Sequence, residues 1–362
     1  MTKIKYYRLD NILAKDAEYN IILGQRSNGK SYAVKEHCVT ESWNDSNKKF
    51  IVLRRLAEEV KPSVIEHYFS DVDIGRISNG KCDNIIVYRG QVWACRYDYT
   101  KEKNEKIRVL GYVLALVKAT QYKSGIYTDC TNVIYEEFIC EVGSAYLHDE
   151  PNQLQSLIST IARNNRIHVY MVGNTISRVC PYFTEWQLID IPRQKQGTID
   201  IYEVESNQLN DNNQPLKLKI AVENAEQVQG AGKMFFGSAS KMINEGAWHT
   251  SKQYPPLPKP REEYTLIYTV VMIGKGFSFL LELLQMDNNY TWYVTRKTTN
   301  VKSNTRVVSD LYSCDPLWTT GFNPLTQAEN RAFNILKQNK IAFCDSLTAE
   351  EFIAVKKNLG VY

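Results

Sequence analysis

The stretch YNIILGQRSNGKS, residues 19–31, decides the fold of this chain. The apolar run Tyr19–Leu23 is followed at once by the pattern G-x-x-x-x-G-K-S, and a helix-compatible stretch comes next. This order of strand, glycine-containing loop and helix is the context that a phosphate-binding loop needs. Glycine lets successive backbone N–H groups turn inward toward an anion, and the positive end of the helix adds to the attraction. The stretch therefore predicts an α/β domain that binds a nucleoside triphosphate.

The loop itself supplies the residues expected to hold the triphosphate. The Lys30 ammonium can reach the β- and γ-phosphates, and the Ser31 hydroxyl can ligate Mg²⁺. Arg26 is unusual because small residues suffice where a loop only cradles phosphate; it could touch phosphate, couple to Glu137, face a neighbouring subunit or lie in solvent. The expected nucleotide-binding residues are Gly24, Gln25, Arg26, Ser27, Asn28, Gly29, Lys30 and Ser31.

A second apolar run, Asn132–Tyr135, ends in two adjacent carboxylates, Glu136 and Glu137. Neighbouring side chains of a strand point in different directions, so the two can take different roles. We expect Glu136 to face Ser31 and the metal, and Glu137 to orient the water that attacks the γ-phosphate. The alternative is an ordinary pair of surface glutamates.

Further polar and basic residues follow the next elements. Apolar residues in Asn152–Arg163 recur at helical spacing, which predicts an amphipathic helix. Arg163 and Arg166 come at its end, where they either favour the helix dipole or act as an arginine finger on a neighbouring subunit. Asn174 follows a predicted strand and could sense the γ-phosphate, position water or stabilise a turn.

Short apolar runs without alternation predict strands buried on both faces of a mostly parallel sheet. The runs Ile85–Arg96 and Ile107–Val117 predict extra strands of an inserted β meander. The predicted strands of the sheet are Asn20–Leu23, Phe50–Leu53, Asn132–Tyr135, Arg166–Val172 and Trp186–Ile191.

The texture of the sequence changes near residue 200. Ser206–Pro215 is polar and turn-rich, Glu223–Trp248 reads as a broken helical segment, and Tyr254–Pro260 is a proline tether. We therefore expect a first domain over residues 1–200, a linker or lid over 201–258, and a second domain over 259–362.

The second domain is predicted to be smaller and of α+β type. Two of its predicted helices begin with the S/T-x-x-E capping pattern, at Thr326 and Thr348. Its predicted strands are Tyr264–Ile273, Phe277–Leu284, Tyr290–Arg296 and Thr305–Tyr312, with a hairpin turn at residues 274–276.

Composition sets broad limits on the class of protein. The 362 residues are 43% hydrophobic and 23% charged, with a net charge of +4, which permits a polyanionic partner without requiring one. The eight cysteines form no C-x-x-C pair, so we expect neither zinc nor disulfides. No run approaches 18 uninterrupted apolar residues and the amino terminus has no apolar signal core, so we expect a cytoplasmic protein that does not enter a membrane.

The segments NIILGQRSNGKSYAVK, NVIYEEFI and ARNNRIHVYMVGNTISRVCPYF occur in an order and spacing that resemble a known family. They are similar to the DNA-packaging motor ATPases of small tailed, podovirus-type bacteriophages, relatives of the terminase large subunit and of FtsK/HerA-type translocases. The resemblance covers residues 18–190. It implies an ASCE-type P-loop ATPase in the host cytoplasm that uses ATP and Mg²⁺. It also implies a homopentameric ring at the portal of a prohead, which drives double-stranded DNA inward, and it leaves a packaging RNA open as a partner.

The resemblance also implies roles for single residues. Glu136 would hold the Mg²⁺, Glu137 would activate water, and Arg163 would be the trans-acting finger because it matches the family's R-N after the helix. Arg166 is the alternative finger. Glu136 stands where the family typically has the shorter aspartate.

For the second domain the resemblance implies an RNase H-type fold that has lost nuclease activity. A two-metal nuclease needs an acidic residue in its first strand, and Tyr264–Ile273 contains none. We therefore expect a domain that docks or grips DNA through cations facing phosphates. The alternative for each basic cluster is a solvated surface. The candidate DNA-binding residues are Lys118, Lys123, Arg296, Lys297 and Lys302, with Arg306 in the same basic segment.

Three rival functions remain open at this point. A P-loop kinase would transfer phosphate to a small acceptor, and a segregation or conjugation translocase would move DNA outside packaging. A non-enzymatic scaffold would bind ATP and barely hydrolyse it. Stimulation of hydrolysis by DNA separates the motor from the kinase, and the effect of replacing Glu137 separates it from the scaffold.

Overall fold

The computed structural model of the chain describes residues 6–122, 125, 127–140, 145–163, 165–175, 180–188, 190–209, 215–228, 254–274, 277–309, 313–338 and 340–358. The chain divides into two compact units. The first comprises Met1–Ser177 and Arg193–His249, and the second comprises Arg178–Pro192 and Thr250–Tyr362.

A nine-stranded sheet organises the first unit, in the order β3-β4-β5-β2-β6-β7-β1-β9-β8. The six neighbouring strands β5-β2-β6-β7-β1-β9 run parallel to one another. The pairs β3–β4, β4–β5 and β8–β9 are antiparallel. The strands are β1 (Tyr19–Gly24), β2 (Lys49–Arg54), β3 (Asn84–Tyr88), β4 (Gln91–Asp98), β5 (Lys103–Ala115), β6 (Cys130–Glu136), β7 (His168–Asn174), β8 (Thr198–Leu209) and β9 (Pro215–Asn224).

The central strands are apolar along their whole length because they are covered on both faces. Every residue of β1 is buried, as are all but the end residues of β2 and β7. The prediction of a mixed α/β fold with a mostly parallel sheet is confirmed. The strand that ends in Asn174 lies directly beside β1, so the carboxyl ends of both strands meet at one edge.

Helices connect these strands. Helix α2 contributes Val34, Cys38 and Val39 to the same apolar core as β2. The helix predicted at Asn152–Arg163 is present as α5. The helices of the first unit are α1 (Asp10–Leu13), α2 (Lys30–Asn44), α3 (Pro62–Tyr68), α4 (Ile74–Ile77) and α5 (Glu150–Ala162).

The predicted β insertion is part of the central sheet. Strand β5 pairs in parallel with β2, so β3, β4 and β5 extend one side of the nine-stranded sheet. The prediction of one strand over Ile85–Arg96 was wrong. Arg89 and Gly90 adopt left-handed backbone with φ of 51° and 74°, and this two-residue turn splits the run into β3 and β4.

The sheet also continues beyond residue 200, where a linker was expected. Strand β9 pairs in parallel with β1 and in antiparallel fashion with β8. The polar segment 206–215 therefore includes the end of β8 and the start of β9, and its residues 210–214 lie outside the described residues. The expected boundary at residue 200 falls inside β8. Backbone hydrogen bonds join β8 and β9 to the sheet, and the polarity of the side chains does not indicate such pairing. Of the expected broken helical segment, residues 229–248 lie outside the described part of the chain.

The predicted strand Trp186–Ile191 is absent from the described residues of this segment. Pro181 begins a short helix, α6 (Pro181–Glu185), and Trp186 ends it. Trp186, Leu188 and Ile191 are buried from a turn and a single 3₁₀ turn. A short apolar run reports burial more reliably than it reports strand geometry.

The second unit contains a six-stranded sheet in the order β14-β13-β10-β11-β12-β15. Strands β10, β11 and β12 are antiparallel, and β13, β14 and β15 join in parallel. All four predicted strands are present, although residues 275–276 of the predicted turn and 310–312 lie outside the described residues. The strands are β10 (Thr265–Gly274), β11 (Phe277–Met286), β12 (Asn289–Arg296), β13 (Arg306–Ser309), β14 (Trp318–Thr319) and β15 (Ile341–Phe343).

Helices α7 (Gln327–Lys337) and α8 (Ser346–Asn358) pack on this sheet through Phe333 and Phe352. The Thr326 cap is confirmed, because its hydroxyl accepts the Glu329 N–H. The second predicted cap was wrong. Helix α8 begins at Ser346, and the Asp345 carboxylate accepts the Thr348 N–H. The RNase H-type assignment of this unit stays a prediction.

Across the described ranges, no helix is long and apolar enough to cross a membrane.

Candidate nucleotide site

The phosphate loop occupies the turn between β1 and α2. Gly24 and Gly29 adopt φ of 147° and 95°, values at which a side chain would strain the backbone. Helix α2 begins at Lys30, so its first N–H groups face the loop. The local geometry is that of an anion cradle.

Two segments distant in sequence hold the loop in place. The Gln25 Nε2 donates to the Val228 carbonyl oxygen at 3.0 Å, just beyond β9. The Tyr7 N–H donates to the Asn28 carbonyl oxygen at 2.9 Å, and the Tyr7 hydroxyl donates to Glu223 Oε2 at 2.6 Å. The amino-terminal segment is therefore part of the site, which sequence reasoning missed because no motif marks it.

Lys30 is buried against the loop that it follows. Its Nζ donates to the Gln25 carbonyl oxygen at 2.5 Å and to Asn28 Oδ1 at 3.0 Å. Burial lowers the pKa of Lys30 to about 7, although the nearby Glu136 carboxylate favours the charged form. A bound phosphate would place a compensating negative charge beside the Lys30 ammonium.

Nucleotide binding should therefore take up a proton through Lys30. Phosphate stabilises the ammonium and raises its pKa. The Lys30 side chain, which is mostly neutral above pH 7, therefore becomes charged when the nucleotide binds. We expect uptake approaching one proton per site at pH 8, declining below pH 7. Titration calorimetry with Mg-ADP, in two pH 8 buffers of different ionisation enthalpy, measures it.

Two variants control this measurement. Lys30→Arg should abolish uptake because a guanidinium is already charged at pH 8. Ser31→Ala should retain uptake while weakening binding. Equal heats in both buffers for the parent protein would contradict the assigned pKa of Lys30.

Glu136 is the last residue of β6 and is buried beside the loop. Its Oε2 lies 3.5 Å from Arg54 Nη2, while its buried Oε1 accepts no hydrogen bond of ordinary length from the part of the chain that the structure describes. An unsatisfied buried carboxylate oxygen is costly unless a cation or donor approaches it. The Ser31 hydroxyl and Glu136 offer the hard oxygen ligands that Mg²⁺ prefers. The residues present therefore fit a metal.

Glu137 leaves the strand in left-handed backbone, with φ of 55°, and its side chain is exposed. Its N–H donates to the Val172 carbonyl oxygen of β7 at 2.9 Å. A Cβ on Gly173 would lie 2.8 Å from the Phe138 ring, so the loop after β6 packs directly on β7. Asn174 ends β7 opposite Gly24.

One cleft of about 1210 Å³ in the first unit gathers these groups. Its walls also include the amino-terminal segment and the length of α2. The predicted site residues that line it are Arg26, Ser27, Asn28, Gly29, Lys30, Ser31, Glu136, Glu137 and Asn174.

The family of podovirus DNA encapsidation proteins (Gp16) matches residues 1–212, more than half of the chain. The chain belongs to the Gp16 family. DNA packaging proteins of Bacillus phages PZA and phi29 are each 28% identical to it over 191 residues, which cover 52% of this chain and 52% of the relative. The match thus spans about half the length of these curated relatives.

A solved structure of the bacteriophage phi29 viral genome packaging motor assembly shares the fold of this Gp16-family chain. The match has a TM-score of 0.59 at 18% identity and covers 98% of this chain and 99% of the other. A phi28 gp11 DNA packaging motor matches with a TM-score of 0.52 at 17% identity, over 99% and 98% of the two chains.

Arg163 and Arg166 of this Gp16-family chain lie away from its own cleft. Helix α5 runs from the loop after β6 back to the edge where β7 begins, and both arginines follow it. Arg166 is held by ion pairs of 2.9 Å to Asp16 and Glu18. Arg163 is exposed, adopts φ of 46°, and donates to the Gly125 carbonyl oxygen at 3.2 Å.

The candidate DNA-binding residues differ in their availability. Arg296 makes a bidentate ion pair with Glu351, with N–O distances of 2.7 and 2.9 Å, and its guanidinium lies over Phe277. Arg306 is buried and donates to the carbonyl oxygens of Leu317 and Asn323. These two cations are therefore bound within the fold, and the DNA-binding role of the segment stays a prediction.

The remaining candidates present cations at the surface. Lys118 and Lys302 are exposed, and Lys297 is half-buried with its Nζ donating to Thr299 Oγ1. Lys123 lies outside the described residues.

Sequence reasoning also missed two adjacent arginines at the end of β2. Arg54 faces Glu136, whereas Arg55 donates to the carbonyl oxygens of Glu137 and Phe138 at 3.1 and 2.8 Å. The signal was present, because the apolar run Phe50–Leu53 of β2 is followed at once by two cations. Polar residues at the carboxyl end of a buried strand lie at the edge where ligands bind.

Proposed function

We propose that the chain is an ATP-hydrolysing motor subunit that packages double-stranded phage DNA. The observation that carries the proposal is the single cleft in which the phosphate loop, Glu136, Glu137 and Asn174 meet. Membership of the Gp16 family and the fold shared with the phi29 motor assembly support the same assignment.

The loop and the start of α2 bind the triphosphate. Backbone N–H groups and the Lys30 ammonium compensate phosphate charge in a buried setting, where each contact is stronger than in water. The Ser31 hydroxyl and Glu136 would hold Mg²⁺, which neutralises charge on the β- and γ-phosphates when bound. Arg54, whose Nη2 lies 3.5 Å from Glu136 Oε2, balances the charge of that carboxylate.

Hydrolysis requires a group that orients water at the γ-phosphate. Glu137 has an exposed carboxylate in the cleft, and its backbone is tied to β7 through Val172. Asn174 lies at the end of the same strand and can hydrogen-bond the water or the γ-phosphate. We assign Glu137 as the base and Asn174 as the sensor.

We infer that the site works within a ring, in which Arg163 of one subunit reaches the cleft of its neighbour. Arg163 follows α5, a helix of 13 residues, which spans about 20 Å. It therefore extends away from its own Glu137 and is available to the cleft of a neighbour. Arg166 is the weaker candidate, since Asp16 and Glu18 already hold it.

We propose further that a homopentamer of this chain acts at a portal in the host cytoplasm, with a packaging RNA as a possible additional partner. The second unit would serve as a docking or DNA-gripping domain of RNase H type without nuclease activity. Its first strand, β10, contains no acidic residue. Lys297 and Lys302 are the remaining candidate phosphate contacts of the second unit. Lys118 is the candidate of the first unit.

Steady-state ATP hydrolysis with and without long double-stranded DNA tests the proposed function. Hydrolysis should rise with DNA, and the stimulation should fall steeply with salt, because phosphate contacts release counterions. No phosphate should be transferred from ATP to mononucleotides offered as acceptors. A rate of ATP hydrolysis that DNA does not change at any salt concentration would contradict the motor assignment and favour a P-loop kinase or another ATPase.

A further inference from the structure

The loop that carries Glu137 is held by a side chain from another strand. Arg55 Nη1 donates to the Glu137 carbonyl oxygen at 3.1 Å, and Arg55 Nη2 donates to the Phe138 carbonyl oxygen at 2.8 Å. Glu137 adopts left-handed backbone, which a non-glycine residue keeps only when its surroundings enforce it. The two hydrogen bonds from Arg55 supply part of that enforcement.

Arg55 is itself fixed by a buried carboxylate. Its Nε donates to Glu150 Oε2 at 2.8 Å and its Nη2 donates to Glu150 Oε1 at 3.0 Å, and the Glu150 side chain is fully buried. The Tyr135 hydroxyl and the Leu147 N–H also donate to Glu150, at 2.7 and 2.8 Å. A bidentate pair with satisfied oxygens has little freedom to rotate.

The carboxylate that fixes Arg55 is the first residue of α5, and the opposite end of this helix is followed by Arg163. Adjacent residues of β2 thus divide two tasks. Arg54 faces the side chain of Glu136, and Arg55 ties the backbone after β6 to α5. A displacement of α5 would move Glu150, then Arg55, and then the backbone at Glu137.

We propose that Arg55 is a positioning residue for Glu137 and is itself held by Glu150, so that the base is aligned only when α5 is packed in place. The inference rests on the proposed function, in which Glu137 orients water. Helix α5 contacts Arg55 through Glu150 at one end and is followed by Arg163 at the other, so it links the two sites mechanically. Engagement of Arg163 would then influence hydrolysis in its own subunit as well as in its neighbour.

The test compares Arg55→Gln, Arg55→Lys and Glu150→Gln by steady-state ATP hydrolysis. A misplacement of about 1 Å can cost on the order of 100-fold in rate, so Arg55→Gln should lower kcat about that much. The KM for ATP should change little, because the phosphate loop is untouched. Arg55→Lys should recover part of the rate, since an ammonium can pair with Glu150 but cannot bridge it to both carbonyl oxygens.

Further variants separate positioning from folding. Arg261→Gln removes another bidentate pair, with Glu282 in the second unit, and should leave kcat unchanged. The double variant Arg55→Gln with Glu150→Gln should be no slower than Arg55→Gln alone, because the two residues act as one unit. If Arg55→Gln fails to fold, Glu150→Gln and Arg55→Lys carry the test.

The outcomes distinguish this inference from the proposed function. Parent-like kcat in folded Arg55→Gln and Glu150→Gln, alongside an inactive Glu137→Gln, would overturn the inference alone. Parallel loss of kcat, nucleotide affinity and thermal stability would also overturn it, since Arg55 would then be structural. Parent-like turnover in Glu137→Gln would instead overturn the proposed function.

Discussion

Glu137→Gln should bind nucleotide as the parent protein does and hydrolyse ATP about 10²–10⁴-fold more slowly, the range that general-base catalysis contributes. Glutamine keeps the size of the side chain and one hydrogen-bond-accepting oxygen, but it cannot accept a proton from water. Glu137 N–H and C=O, which donate to Val172 and accept from Arg55, are unchanged by the substitution. The fold of the loop should therefore survive.

The measurement pairs single-turnover hydrolysis with equilibrium binding of a fluorescent nucleotide. Glu102→Gln is the matched control, because it makes the same chemical change at an exposed position between β4 and β5. Unchanged hydrolysis in Glu137→Gln would remove the base from its assigned role. Loss of both binding and hydrolysis would mean that the substitution disturbed the cleft as a whole.

The core of the site was predictable because its determinants are local. A strand, a glycine-containing turn and a helix that follow one another at fixed spacing need no distant contact to form the phosphate loop. Glu136 and Glu137 could be placed near it because parallel strands bring their carboxyl ends to one edge. The structure gathers these residues in one cleft. Their chemical roles stay predictions.

Residues that act through distant contacts were missed. Nothing near Tyr7 in the sequence indicates that it bonds both the phosphate loop and Glu223, more than 200 positions away. The tasks of Arg54 and Arg55 emerge only when β2 is known to pair with β6. Likewise, the polarity of 206–215 concealed strands whose backbone pairing joins them to the sheet.

The basic segment of the second unit shows the same limit in the other direction. Arg296 and Lys297 are adjacent in sequence, so a charge count treats them alike. Arg296 is neutralised by Glu351, which comes from a helix 55 positions further on. Only the structure separates a cation that is bound within the fold from one that faces outward.

Arg163→Ala should lower kcat by about 10³–10⁵-fold, the contribution of an arginine finger, with little effect on nucleotide affinity. Arg163 follows α5 at the edge where β7 begins, whereas its own cleft lies where β1, β6 and β7 end. As the proposed finger it would therefore act on a neighbouring subunit. Its backbone has a positive φ of 46° with a ψ of −103°, a strained geometry of the kind often found at functional positions.

Mixing variants tests the action in trans. An Arg163→Ala subunit keeps Glu137, and a Glu137→Gln subunit keeps Arg163, so a mixed ring contains some interfaces with both groups. Hydrolysis in the mixture should exceed that of either variant alone, at protein concentrations where rings assemble. Arg166→Ala is the matched control, and it should cost little because Arg166 pairs with Asp16 and Glu18 on an exposed surface. Slow hydrolysis in Arg166→Ala would assign the finger role to Arg166. A mixture that hydrolyses ATP no faster than its components would assign it to Arg166 or to an arginine within the same subunit.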